Sequence, residues 1–244
     1  AGAFEVKRAI IASDVEGNLP VVKQIFDRFY DRADLIVFLG DNVDRGRQGV
    51  ETMDLLLSNY LKDDGKLLLL RGNHESMLMN QNHGFYWEVQ DKLGHDAYPK
   101  FQNLFSRMPL AAVVNGYFLV HAGIAKGLST VEQIKSVRYP DADSSDPIGM
   151  QLVWNDSNED ILGFEPDYQR SDYGVFYFGT RAVDDFLGAN GLKGIIKGHE
   201  VVDGVRYQMG GKVVTVCTSD RRTNRMCVLE MEGGRLTPID LLRE

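Results

Sequence analysis

Side chains of metal-binding types follow three short apolar runs within the first 75 residues of the chain. The pairs are, in chain order, Asp14 with Glu16, Asp41 with Asp44, and Asn73 with His74. Each apolar run is typical of a buried strand, and charged groups at the end of such a strand are costly unless a charged ligand or a metal lies there. In open α/β sheets, ligands bind outside the carboxyl ends of the strands. The pattern therefore predicts a shared ligand site at the ends of these strands.

Two histidines further along the chain extend this set. His121 follows the apolar run at 117–120, and His199 follows the run at 193–197 and a glycine. Considered singly, each would be an ordinary buried imidazole, but oxygen and nitrogen ligands after five strands together predict a metal centre. Carboxylate, amide and imidazole groups suit Mn²⁺, Fe or Zn²⁺. Because the set is larger than one ion needs, it predicts two ions that share a carboxylate, an arrangement that clamps the oxygens in a displacement at phosphorus.

The elements that must position these residues alternate in type. Apolar runs at 8–13, 35–39 and 66–70 predict strands, and the spacing of apolar residues predicts helices between them at 22–29 and 50–60. This β-α-β-α-β order indicates right-handed crossovers and a mainly parallel sheet. The remaining predictions are helix with breaks at 75–107, a hairpin at 111–120, a short helix at 183–187, strands at 193–197, 205–209, 213–217 and 226–231, and loops at 139–146 and 156–173.

Composition narrows the class of protein. The chain has 244 residues, of which 43% are apolar and 25% charged, and we expect one domain over residues 1–244. Its net charge of −8 disfavours recognition of nucleic acid through the backbone. Two cysteines, Cys217 and Cys227, indicate a reducing compartment, which we take to be the cytoplasm. No apolar run has membrane-spanning length, and no signal peptide is evident. Two further histidines, His83 and His95, lie in polar context and are expected at the surface.

The candidate residues belong to an ordered set of motifs that resembles the calcineurin-like metallophosphoesterases. The motifs are Asp-x-x-Gly-Asn at 14–18, Gly-Asp-x-x-Asp-Arg-Gly at 40–46, Leu-Arg-Gly-Asn-His-Glu at 70–75, His-Ala-Gly at 121–123 and Gly-His at 198–199. Within that superfamily the chain resembles the phosphoprotein phosphatase (PPP) family of serine/threonine phosphatases, and further matches run in register from about residue 8 to residue 231. The resemblance implies an α/β fold, a four-layer α-β-β-α sandwich of two packed mixed sheets flanked by helices. It also implies hydrolysis of phosphoserine or phosphothreonine in a phosphoprotein or phosphopeptide, by direct attack of a metal-bridging water or hydroxide.

The resemblance implies a role for each candidate residue. Two divalent ions, with Mn²⁺ favoured over Fe, Zn²⁺ and Mg²⁺, would be held by Asp14, Glu16, Asp41, Asn73, His121 and His199. Asp41 would bridge the ions, Asp14, Glu16 and His199 would hold the first, and Asn73 and His121 the second. A further late histidine that the family places on the second ion has no counterpart after His199.

The catalytic and phosphate-binding roles follow from the same resemblance. His74 would protonate the leaving alkoxide and would be oriented by Asp44. Arg45 would bind the phosphoryl oxygens with its planar guanidinium, and Asn73 would also face the substrate.

The sequence departs from the family at three places, the first motif at Glu16 and two later motifs that align with 171–174 and 218–222. Glu16 stands where the family has a histidine. We expect its carboxylate to lie on the same side of an extended segment as Asp14, to replace the imidazole as a ligand, and to favour Mn²⁺ or Mg²⁺. The family's second phosphate-binding arginine has no aligned counterpart, and Arg170, Arg221 and Arg222 are the candidates.

Two other functions remain as alternatives. Hydrolysis of dinucleoside polyphosphates or of capped RNA is one, because relatives with that activity share the His-Ala-Gly form found at His121. A catalytically impaired, phosphatase-like binding module is the other, with Glu16 as the lesion. The intact combination of His74 and Asp44 favours an enzyme.

Overall fold

A computed structural model describes residues 2–62, 65–138, 141, 145–170, 174–218 and 224–243. The strands are β1 (Gly2–Phe4), β2 (Arg8–Ala12), β3 (Leu35–Phe38), β4 (Leu67–Leu69), β5 (Ala111–Val114), β6 (Tyr117–Val120), β7 (Asp156–Ser157), β8 (Phe164–Pro166), β9 (Phe176–Phe178), β10 (Gly194–Lys197), β11 (Val205–Gln208), β12 (Val213–Val216), β13 (Cys227–Glu232) and β14 (Arg235–Asp240). The helices are α1 (Leu19–Phe29), α2 (Gly49–Lys62), α3 (Met77–His83), α4 (Phe85–Leu93), α5 (Tyr98–Phe105), α6 (Pro147–Trp154) and α7 (Thr180–Asn190). None of the helices in the described ranges is long and apolar enough to cross a membrane.

Two mixed sheets form the centre of the fold. One has five strands in the order β14-β13-β2-β3-β4, in which β2, β3 and β4 are parallel. The other has six strands in the order β1-β5-β6-β10-β12-β11, in which β6, β10 and β12 are parallel. A small third sheet has the strand order β7-β9-β8, and its strands do not pair with those of the other two sheets.

Alternation along the strands divides the core into layers. In β2, Ala9 and Ile11 pack with residues of the six-stranded sheet such as Leu119, so the two sheets face each other. Ile10 and Ala12 point the other way and pack against the first five helices of the chain. The outer face of the six-stranded sheet is covered by α6 and α7. The structure therefore confirms the four-layer α-β-β-α arrangement of two mixed sheets flanked by helices.

The crossovers bring the ligand-bearing loops to one edge. β2, α1, β3, α2 and β4 alternate, and because the three strands are parallel, the loops that follow them leave from the same edge of the sheet. Asn18 begins α1 directly after the first loop, and its side chain accepts a hydrogen bond from Val21 N at 3.4 Å. Similarly, β6 and β10 are parallel neighbours, so His121 and His199 follow adjacent strands.

The second half of the chain contains elements that periodicity did not predict. Residues 147–154 form α6, whose amide groups at Ile148 and Gly149 donate to the Asp146 carboxylate. This helix is apolar around most of its surface, so no amphipathic pattern marks it. Part of the predicted loop at 156–173 pairs into the small sheet, whereas residues 139–140, 142–144 and 171–173 lie outside the described residues. The extent of the domain, residues 1–244, stays a prediction.

Candidate metal centre and active site

Three ligand-type side chains converge where the two sheets meet. Atoms of Asp41, His121 and His199 lie within 4.8 Å of one another. Asp41 Oδ1 is 3.4 Å from His121 Nε2, and the terminal group of Asn73 approaches the same nitrogen at 3.0 Å. The predicted ligands Asp41, Asn73, His121 and His199 therefore form one cluster, which we call the four-residue cluster.

The hydrogen bonding of this cluster fits a cation. His121 Nδ1 is 3.2 Å from the carbonyl oxygen of Leu39, which leaves the lone pair of Nε2 directed at the cluster when Nδ1 carries the proton. The oxygen of Asn73 faces only acceptor atoms, those of His121, His199 and Asp41, at 3.0 to 3.2 Å. When His121 Nε2 carries no proton, these lone pairs converge and a cation stabilises them, and one carboxylate, one amide and two imidazoles suit a divalent metal. Rotation of the Asn73 amide would instead let its nitrogen donate to these atoms.

The place of His199 differs from the sequence-based assignment. We expected it to share the first ion with Asp14, but its Nδ1 lies 3.2 Å from the Asn73 amide, and its ring centroid lies 5.2 Å from that of His121. Only its backbone N–H contacts the Asp14 carboxylate, at 3.0 Å. His199 therefore lies with Asn73 and His121, the residues predicted for the second ion, and we predict that it is the late histidine that the family places on that ion.

Asp14 and Glu16 line the neighbouring side of the site. The Asp14 carboxylate accepts hydrogen bonds from Ser13 Oγ at 2.5 Å and from His199 N at 3.0 Å, and its burial raises its pKa to about 6. The segment is not extended as expected, because φ is 55° at Asp14 and 49° at Glu16. Glu16 is buried and its carboxylate forms an ion pair with Arg45. Ligation of a metal by Glu16 stays a prediction, and that carboxylate would have to be shared with Arg45 or released by it.

A buried histidine–aspartate pair adjoins the cluster. His74 Nδ1 is 2.7 Å from Asp44 Oδ2, and that carboxylate also accepts hydrogen bonds from Asn80 Nδ2 and Phe85 N, each at 2.9 Å. His74 Nε2 lies 3.9 Å from Asp41 Oδ2. Although burial disfavours the imidazolium, Asp41 and Asp44 raise the pKa of His74. The pair thus turns His74 Nε2, the ring nitrogen that Asp44 does not hold, toward the cluster.

Glu75 holds the loops of the cluster together, a role that sequence reasoning did not assign. Its carboxylate accepts hydrogen bonds from the backbone N–H groups of Asp41 at 2.9 Å, Asn42 at 2.8 Å and Gly72 at 2.7 Å. Gly72 is required here, since a Cβ at this position would lie 2.3 Å from Asp41 Oδ1. The only sequence signal for this role was the position of Glu75 in the 70–75 motif. Its hydrogen-bond partners could not be predicted, because they lie on two loops that come together only in the folded structure.

Backbone strain is concentrated at the site. Eight non-glycine residues in the described ranges have positive φ: Asp14, Glu16, Asp41, Asp44, Arg45, Asn115, His199 and Met209. All except Asn115 and Met209 are candidate site residues. Such conformations cost about 1–3 kcal/mol each and persist where the surrounding structure enforces them, often at functional sites.

Two residues that the sequence analysis discussed, His83 and Arg170, lie at the periphery of the site. His83 is exposed as predicted, yet its ring centroid lies 4.9 Å from that of His74, at the edge of the site. Arg170 donates to Asp156 Oδ2 at 2.5 Å and to Asp167 Oδ2 at 2.6 Å. The other candidates for a second phosphate-binding arginine, Arg221 and Arg222, lie outside the described residues.

Comparison with known proteins agrees with this geometry. The sequence pattern described as calcineurin-like phosphoesterase matches residues 7–203, and the chain belongs to that family. It is 35% identical over 212 residues to a protein of Encephalitozoon cuniculi named "Probable serine/threonine-protein phosphatase". That match covers 85% of this chain and 46% of the relative, so the chain spans about half of the relative's length.

Solved structures show the same fold. A protein serine/threonine phosphatase from Saccharomyces cerevisiae, described as similar to human phosphatase PP5, superposes with a TM-score of 0.88 at 26% identity, covering 98% of this chain and 82% of that one. The cold-active protein-tyrosine phosphatase of a psychrophilic Shewanella species superposes with a TM-score of 0.67 at 18% identity, covering 99% and 82%. The latter shows similarity of fold alone.

Proposed function

We propose that the chain is a metal-dependent protein serine/threonine phosphatase that hydrolyses phosphoserine and phosphothreonine monoesters in phosphoproteins. The observation that carries the proposal is the His74–Asp44 pair beside the four-residue cluster, with His74 Nε2 3.9 Å from Asp41 Oδ2. A proton donor next to a set of metal ligands is what cleavage of an alkyl phosphoester requires. The names of the Encephalitozoon relative and the yeast structure support the substrate class.

The site residues have separate roles in the proposed reaction. Divalent ions bound by the cluster, Asp14 and Glu16 would supply Lewis-acid activation of the phosphoryl group and of the attacking water. His74 donates a proton from Nε2 to the leaving alkoxide, while Asp44 holds Nδ1 and stabilises the imidazolium. Arg45, one-quarter exposed at the edge of the site, binds phosphoryl oxygens. The products are the free hydroxyl side chain and inorganic phosphate.

The substrate class is tested by comparing two substrates. We expect the Mn²⁺-loaded protein to turn over a phosphoserine or phosphothreonine peptide with a much higher kcat/KM than diadenosine tetraphosphate. The reverse order would assign the chain to dinucleoside polyphosphate hydrolysis. Turnover of neither substrate, nor of p-nitrophenyl phosphate, by protein that binds metal would make it a binding module.

The preference for two ions and for Mn²⁺ is part of this proposal and depends on Glu16. Glu16→His should shift activity and binding toward Zn²⁺ and Fe²⁺, because an imidazole is a softer ligand than a carboxylate. Glu16→Gln should weaken one of two bound ions without gaining a preference for zinc. The measurement is activity against metal identity together with metal stoichiometry, and Arg45→Ala, which releases the Glu16 carboxylate, serves as the matched variant. Ligation by Glu16 is excluded if Glu16→Ala binds two ions as tightly as the parent with the same preference.

The role of Arg45 in phosphate binding gives a separate prediction. Arg45→Ala should weaken inhibition by inorganic phosphate about 10–100-fold and lower turnover as well, since a charge-assisted hydrogen bond contributes about 1.5–3 kcal/mol. Arg45→Lys keeps the charge but loses the planar guanidinium. Its phosphate inhibition and turnover should therefore lie between those of the parent and those of Arg45→Ala. If phosphate inhibition is unchanged in Arg45→Ala, the guanidinium serves only to neutralise Glu16.

We also propose a reducing, cytoplasmic location. The support is chemical: Cys217 and Cys227 are both free thiols. Fluorescence of a tagged protein in its own cell, compared with compartment markers, tests the location.

A further inference from the structure

One carboxylate oxygen close to the four-residue cluster has no hydrogen-bond partner. Asp156 lies in β7, just after α6, and its Oδ1 is shielded from solvent without a partner among the described residues. His199 Nε2 lies 3.6 Å from this oxygen. Buried acceptors without a partner are uncommon in folded proteins and call for an explanation. Shortening the separation by about half an ångström brings it into the range of an N–H···O hydrogen bond.

The two ring nitrogens of His199 face different groups. Nδ1 lies 3.2 Å from the terminal group of Asn73, on the cluster side. A neutral imidazole that offers the lone pair of Nδ1 to a metal carries its proton on Nε2. That proton is then on the side of the ring that faces Asp156. The Trp154 ring stands edge-on to the imidazole, with centroids 5.6 Å apart, and limits its rotation.

Asp156 is itself held by Arg170. The Asp156 Oδ2 atom accepts from Arg170 Nη2 at 2.5 Å, which leaves Oδ1 as the oxygen turned toward His199. Arg170 Nε donates to Asp167 at 2.6 Å, and Nη1 is 3.4 Å from the carbonyl oxygen of Trp154. Its guanidinium also lies over the Trp154 ring at 6.0 Å. The described hydrogen bonds of Arg170 therefore all go to other groups of the protein.

We propose that Asp156 is a positioning residue for His199: it accepts the Nε2 proton, fixes the ring so that Nδ1 faces the cluster, and is kept in place by Arg170. This assigns Arg170 a supporting role in metal binding instead of the phosphate-binding role for which it was a candidate. The inference rests on the metal-dependent function proposed above. Carboxylates that accept the second N–H of a ligating histidine orient the ring and raise its basicity, and their loss costs about 10–100-fold in metal affinity.

Metal affinity measured on the metal-free protein gives the first test. By titration with Mn²⁺ against a competing chelator, Asp156→Ala should bind its tightest ion about 10–100-fold more weakly than the parent. Asp156→Asn has one oxygen for two donors, Arg170 Nη2 and His199 Nε2, so its affinity should lie between those of the parent and the alanine variant. Asp184→Asn removes an exposed carboxylate that pairs only with Lys212 in the described contacts, and should match the parent. Unchanged affinity in Asp156→Ala overturns the proposal.

A spectroscopic readout separates orientation from the mere loss of a negative charge. In Zn²⁺-loaded protein labelled with ¹⁵N-histidine, the Nε2 proton of His199 should be a downfield, slowly exchanging resonance. It should disappear through fast exchange in Asp156→Ala and persist in the control Asp184→Asn. Weaker metal binding without any change in this resonance would mean that Asp156 acts only through its charge, which also overturns the proposal. The resonance can be observed in the parent, so the test stands even if the alanine variant does not fold.

Arg170 provides the distinguishing variant. Arg170→Ala should weaken Mn²⁺ binding, while the affinity for inorganic phosphate at saturating Mn²⁺, measured by titration calorimetry, stays at the level of the parent. The opposite result, intact Mn²⁺ affinity with weakened phosphate binding, would assign Arg170 to the substrate and contradict the inference. Because both readings concern metal and phosphate binding, they can be made even if the parent fails to hydrolyse phosphopeptides, so the two proposals fail separately.

Discussion

Replacing His74 with Asn should lower kcat on an alkyl phosphoester by about 10²–10⁴-fold with little change in KM. The reason is that His74 acts in the chemical step: its Nδ1 is held by Asp44 at 2.7 Å, and its Nε2 faces the four-residue cluster. Asparagine cannot deliver the proton that an alkoxide leaving group needs. The measurement is steady-state kinetics on a phosphoserine peptide with Mn²⁺ at saturation.

Two comparisons make this result specific. An aryl phosphate such as p-nitrophenyl phosphate has a stable leaving group, so it should be much less sensitive to the same change. His83→Asn is the matched control, because His83 is exposed with its ring 4.9 Å from that of His74 and is not hydrogen-bonded to Asp44 in the described contacts. If His74→Asn retains most of its kcat on the alkyl ester, His74 is not the proton donor.

Asp41→Asn should abolish tight metal binding and most of the activity. The substitution is nearly isosteric and leaves an oxygen for the backbone N–H of His74, which donates to Asp41 Oδ1 at 2.9 Å in the parent. It removes the negative charge beside His121 and His199. The loss in metal affinity should exceed the roughly 10–100-fold effect of residues that only support ligands. Metal content after dialysis and Mn²⁺ titration measure it directly.

The control for Asp41 is a carboxylate of the same type away from the site. Asp54→Asn, exposed on α2, should keep the metal content and activity of the parent. Thermal unfolding of the metal-free proteins shows whether Asp41→Asn is folded. A folded Asp41→Asn protein that binds metal with the parent's affinity would place the ions elsewhere.

The sequence alone determined the framework of the site. Continuous apolar runs separated by amphipathic helices specify parallel strands, because strands buried on both faces need crossover helices to connect them. Glycine and polar residues at the strand ends then mark one edge of the sheet as the place where ligands bind. For this reason Asp41, Asn73, His121 and His199 could be named from spacing and residue type, and the structure brings all four together. Elements without periodicity, such as α6, were not predictable in this way.

Only the tertiary structure decided which of these side chains act together. The assignment of His199 to the Asn73 and His121 set depends on β10 lying beside β6, a pairing between segments about 75 residues apart. The ion pair of Glu16 with Arg45 and the approach of Asp156 to His199 likewise join segments that are far apart in the chain. Local sequence carries information about helix and strand, because those depend on neighbours within a few residues. Contacts between loops depend on strand order, register and the rotamer of each side chain, so they are fixed only when the two sheets pack.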